Sequence, residues 1–120
     1  MKSPDSTSTS HLAIAVDHSG LEVIVRLTGR IDVDSSPDVR ECLLATLLGK
    51  PLVRAVTVDL GDVIHIEASG IATLVEALKI AGHRQIRFHL QGLHGSVLRL
   101  FEVTGLLPLF ETIHGGKGVA

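Results

Sequence analysis

From Glu22 to Thr28 polar and apolar positions alternate: Val23, Val25 and Leu27 share one side, Glu22, Arg26 and Thr28 the other. A period of two predicts a strand with one solvated face. Leu12 to Val16 forms a short apolar run before it, and His18-Ser19-Gly20 supplies a turn, so the first two strands read as a hairpin. Gly29 breaks the second strand. Ser35-Ser36-Pro37-Asp38 then opens a helix with a cap candidate, an early proline and an acid in the first turn. Its apolar stripe is Val39, Leu43, Leu44, Leu47 and Leu48, and Gly49 with Pro51 closes it. Val53 to Leu60 is rich in β-branched residues and predicts a central strand. A second helix is predicted from Ser69 to Ala81, with Ile71, Leu74, Val75 and Leu78 on one face and Gly82 as its stop. Gln85 to Leu90 alternates again, with Ile86, Phe88 and Leu90 inward. Ser96 to Thr104 predicts a third helix burying Val97, Leu100 and Phe101, and Leu109 to Ile113 a final edge strand.

The order β-β-α-β-α-β-α-β predicts an α/β fold: a small mixed β-sheet with its helices mainly on one side. Arg26, Arg87 and His89 on outer strand positions agree with an uncovered second face. Residues 1–10 (MKSPDSTSTS) are small and polar and predict a loose tail, residues 11–114 one domain, and residues 115–120 a flexible end.

Composition narrows the function classes. Apolar residues make up 45% of the 120, enough for a folded core, and no run approaches the ~18 apolar residues that span a membrane. With no signal-peptide core at the N-terminus, a cytoplasmic location is expected. The net charge of −2 and the absence of Trp and Tyr argue against nucleic acid, which selects basic faces and exposed stacking rings. Cys42 is the only cysteine, sits among leucines, and reads as a buried structural thiol.

The chemistry-bearing residues form no enzyme motif. The seven histidines, His11, His18, His65, His83, His89, His94 and His114, include no close helical pair, so neither a metal nor any other cofactor is expected. Gly49-Lys50 and Gly116-Lys117 are not phosphate loops, and Ser69 is not in a nucleophile elbow. Asp62 reads as a residue of a Gly-Asp turn. What stands out is Glu67-Ala68-Ser69-Gly70, where an apolar run gives way to an amphipathic helix. A serine there caps the helix, or it stands at the helix tip within reach of a kinase, where a phosphate would meet the positive end of the helix dipole.

Four segments, in order, resemble the STAS domain family, specifically bacterial anti-sigma factor antagonists. They are Leu27-Thr28-Gly29-Arg30-Ile31-Asp32, Val58-Asp59-Leu60, Glu67-Ala68-Ser69-Gly70-Ile71, and Leu98 through Leu106 (LRLFEVTGL). The resemblance covers roughly residues 12–114. It implies a binding switch and not an enzyme. Such antagonists bind an anti-sigma factor that is often also a serine kinase, phosphorylation of the loop serine ends the interaction, and a serine phosphatase resets it. By position Ser69 is the implied phosphoacceptor. Asp32 is the implied strand-end acid of the same contact surface, joined by Arg30, Glu67, Ala68, Gly70 and Ile71. The chain departs from the family pattern in three places: Glu67 stands for the usual aspartate, Ala68 for a common first serine, and Arg30 for an acid. Arg30 has three readings: a hold on a phosphate, a pair with an acidic partner, or a solvated strand-end charge. A monomer is expected of so small a switch. The family also implies an alternative, a STAS subunit of a stress-signalling complex or of an ABC lipid-transport system, with no phospho-switch.

Overall fold

The computed structural model describes residues 11–113. The elements run β1 (Leu12–Ser19), β2 (Glu22–Ile31), α1 (Ser36–Leu48), β3 (Ala55–Ile66), α2 (Ala68–His83), β4 (Arg87–Gln91), α3 (Gly95–Val103), a 3-10 turn (Leu107–Leu109) and β5 (Glu111–Ile113). The five strands form one sheet in the order β1-β2-β3-β4-β5. β1 and β2 are antiparallel, and every later pairing is parallel. The element order and mixed sheet are those the alternation predicted. The two tails expected at 1–10 and 115–120 lie outside the described residues.

The apolar alternation builds the core directly. Val23, Val25 and Leu27 of β2, Val56, Val58 and Leu60 of β3, and Phe88 and Leu90 of β4 are buried on one face of the sheet. Val39, Leu43 and Leu47 of α1 meet them, with Ile71, Leu74, Ala77 and Ala81 of α2 and Val97 and Phe101 of α3. Phe110 joins the last layer, edge-on to Phe101 at 5.7 Å and tilted against Phe88 at 6.4 Å. Arg40 of α1 clasps Glu76 of α2 with two bonds of 2.8 Å.

The opposite face carries a polar ladder. Arg26 of β2 pairs with Asp17 of β1 and lies 3.7 Å from Asp59 of β3. Gln91 of β4 donates to Asp59 at 3.2 Å. Arg26, Asp59 and Gln91 thus cross-link three strands on the side that the helices leave open.

Five expectations change. Gly29 does not end β2, which continues to Ile31; its φ of +115° brings its backbone against the His11 carbonyl, where any Cβ would overlap. β3 runs to Ile66, so Asp62 lies in a strand and not in a turn. That length went unread because β3 carries an extra residue relative to β2 at two points. One falls between the pairs Arg26–Asp59 and Thr28–Asp62, the other between Gly29–Val63 and Arg30–His65. The buried positions therefore step from Leu60 to Val63 to Ile66, and each bulge returns the next apolar side chain to the core. Gly82 lies inside α2, which ends at His83. Leu48 is 51% exposed and leaves the α1 stripe. Cys42 is only half-buried, and that burial pushes its thiol pKa upward.

Candidate functional site

The site forms where β2 and β3 end and α2 begins. The Glu67 N–H donates to the Ile31 carbonyl at 2.9 Å, tying the two strand ends together. Glu67 is extended and occupies the N-cap position; its carbonyl accepts from Gly70 at 2.9 Å and Ile71 at 3.1 Å. The helix therefore starts at Ala68, and Ser69 is its second residue. This corrects the cap reading, because Glu67 stands at the N-cap and, among the described residues, no side chain caps the helix. The Ser69 Oγ is buried and has no hydrogen-bond partner among the described residues. Its carbonyl is used, accepting from Thr73 Oγ1 at 3.0 Å.

Gly70 fixes where that serine sits. A Cβ there would stand 2.5 Å from Ile31 Cγ2 and 2.9 Å from Ile66 Cγ1. Only glycine lets the first turn of α2 rest directly on the two strand ends. Gly70 and Ile71 are buried, so they shape the site from beneath, whereas Glu67 and Ala68 are exposed.

Asp32 begins the adjoining β2–α1 loop, and its carboxylate holds that loop together. Asp32 Oδ1 accepts from the Asp34 and Ser35 N–H groups, both at 3.0 Å. The Ser35 hydroxyl is fully buried; it donates to the Arg30 carbonyl and accepts from the Asp32 N–H, both at 2.9 Å. The Ser35 N–H bond leads in holding the Asp32 carboxyl below its ordinary value, against some desolvation, with Asp34, the Ser35 hydroxyl and the Arg30 charge adding smaller pulls. Asp32 is thus first a loop organiser. The sequence offered a cap candidate within Ser35-Ser36-Pro37-Asp38; Ser35 takes the N-cap position, yet its hydroxyl serves the loop instead, and the signal was the Asp32–Ser35 spacing.

Arg30 is exposed and pairs in register with His65, whose Nε2 lies 3.3 Å from Glu67 Oε2. Arg30, His65 and Glu67 make a mixed-charge edge beside the serine. Two exposed apolar side chains at the same strand ends were not singled out from sequence: Val33 at 66% and Ile64 at 65%. Ile64 is exposed because of the second bulge, a feature periodicity does not reveal.

An apolar groove of about 530 Å³ starts at Ala68 and runs between α2 and α3, with Ile71, Ala72 and Val75 on one wall and Leu100 and Leu106 on the other. Among the described residues no three His, Cys, Asp or Glu side chains converge to hold a metal ion. Among those residues no helix is long and apolar enough to cross a membrane.

The STAS domain model matches residues 13–116. The chain belongs to the STAS domain family. The STAS domain here is 33% identical over 85 residues to the anti-sigma-B factor antagonist of Listeria monocytogenes, covering 71% of this chain and 73% of that one. It superposes on an anti-sigma factor antagonist from Mycobacterium paratuberculosis with a TM-score of 0.77, at 19% identity and 89% coverage of both chains. Against the Bacillus cell fate determinant SpoIIAA in its phosphorylated form the TM-score is 0.68, at 16% identity, covering 88% of this chain and 93% of that one.

Proposed function

We propose that this STAS domain is an anti-sigma factor antagonist of the cytoplasm, a monomeric binding module with no catalytic role of its own. It binds an anti-sigma factor that is also a serine kinase, freeing a sigma factor for transcription, and phosphorylation of Ser69 ends the binding until a phosphatase restores it. The observation that carries the reading is the state of the Ser69 hydroxyl. It sits in the first turn of α2 and has no hydrogen-bond partner among the described residues, and the resemblance to the family's phosphorylation loop implies the acceptor at this position. Turning it outward to a kinase therefore breaks no hydrogen bond to a described residue.

The switch is electrostatic. A phosphate adds close to two negative charges at neutral pH. A partner carboxylate ~5 Å away at an effective dielectric near 20 feels ~3 kcal/mol per unit charge, and half of that still weakens binding more than tenfold. Within the domain the phosphate is tolerated, because the α2 N-terminus presents free N–H groups and the positive end of its dipole. Of the contact residues expected from sequence, Arg30, Asp32, Glu67 and Ala68 supply the rim, with Gly70 and Ile71 as its base.

The test is capture of partners from a lysate of the native cells on three baits: wild type, Ser69→Ala and Ser69→Glu. A kinase-like anti-sigma factor held by the first two and lost by the third is the expected result. The same partners on all three would overturn the switch.

A further inference from the structure

The groove that opens beside Ser69 has no role in the phosphate switch itself. On α2 its wall is Ala68, Ile71, Ala72 and Val75, spaced i, i+3, i+4, i+7. These four form one ridge with a furrow at the two alanines, and Leu100 and Leu106 stand opposite. From Ala68 to Lys79 the wall is about 16 Å long, three helical turns. The α2 ridge faces Leu100 of α3 and Leu106, three residues past that helix, across an open apolar furrow, and such a ridged furrow is a seat that an amphipathic helix can fill.

Charge says what that helix carries. Two charged residues border the groove, Glu76 and Lys79. The Glu76 carboxylate is occupied by the two Arg40 bonds, which also hold its pKa below the ordinary value. Lys79 is exposed and has no ion pair among the described residues. The border is therefore effectively cationic.

We propose that the α2–α3 groove seats an amphipathic helix of the partner protein, apolar along the side facing Ile71, Val75 and Leu100 and acidic where it passes Lys79. The identification of that partner as the anti-sigma factor rests on the function proposed above. The helix docks along α2 and ends at Ala68, one residue from Ser69, so the groove supplies affinity and the serine supplies control.

The probes are two synthetic 14-residue amphipathic peptides with a leucine stripe at i, i+3, i+4, i+7, one flanked at both ends by Glu and the other by Lys. Each is titrated into the full chain and followed by amide chemical shifts and fluorescence anisotropy. The Glu peptide is expected to shift Ala68, Ile71, Ala72, Val75 and Leu100. It should bind roughly fivefold more tightly than the Lys peptide, the range of a surface ion pair. Lys79→Glu should reverse that preference. Ala72→Arg, at an exposed position, should weaken both peptides more than tenfold with the melting temperature unchanged. Shifts that lie outside the groove, or binding that survives Ala72→Arg, would overturn the proposal. So would sodium dodecanoate shifting the groove residues while neither peptide does, since that marks a site for small amphiphiles. The peptides need no phosphate. Groove binding by a chain whose Ser69 is never phosphorylated would uphold the groove and sink the switch; a working switch with an inert groove would do the reverse.

Discussion

Ser69 holds a buried hydroxyl with no hydrogen-bond partner among the described residues, so removing it breaks none of the bonds they make. Replacing it should be nearly free. Ser69→Ala is expected to change unfolding stability by less than about 0.5 kcal/mol in a denaturant titration, whereas loss of a true helix cap would cost about 1 kcal/mol. Ser35 is the contrast. Its hydroxyl is fully buried and bonded to both Arg30 and Asp32 backbone groups, so Ser35→Ala should cost about 1–3 kcal/mol by the same titration. Sequence alone placed both serines at helix starts and could not separate them, because capping propensity does not record where a hydroxyl finds its partner. Ser69 was legible as the notable residue through its match to a family motif. Its lack of a hydrogen-bond partner among the described residues was not.

At the scale of elements, the site depends on α2 resting on the ends of β2 and β3. Gly70→Ala removes that seat: the added methyl meets Ile31 and Ile66, and neither branched side chain can yield without repacking. The expected loss is about 1–3 kcal/mol despite alanine's better helix propensity, and thermal melts would read it. The α1–α2 contact is ionic as well as apolar. The Arg40 bonds keep the Glu76 carboxyl below its ordinary 4.5, as the loop bonds keep Asp32 below its ordinary 3.8. Both groups bind fewer protons folded than unfolded, so their contribution is complete above those ordinary values and is lost as pH falls through the depressed ones. Arg40→Gln should therefore flatten the fall of stability between about pH 5 and pH 3, measured by urea midpoints across that range. Most elements could be read from periodicity, since Val23, Val25, Leu27 and the α2 face follow it. The second half of β3 could not: its two bulges break the period of two and make Gly61-Asp62 look like a turn.

Taken whole, the domain divides its surfaces. One sheet face is sealed by helices, the other carries the Asp17–Arg26–Asp59–Gln91 ladder, and the strand-end edge presents Ser69 among Arg30, Asp32, His65 and Glu67. Ser69 is half-buried at that edge and is not part of the apolar core, so a longer Glu side chain that turns outward should leave Ser69→Glu with a cooperative melt within a few degrees of wild type while partner binding falls more than tenfold. The most direct measurement separates the chain from its native cells into partner-bound and free pools and maps phosphate on each by mass spectrometry. The account predicts phosphate on Ser69 in the free pool and an unmodified Ser69 in the bound pool. Phosphorylated Ser69 in the bound pool, or a free pool phosphorylated only at another residue, would contradict it.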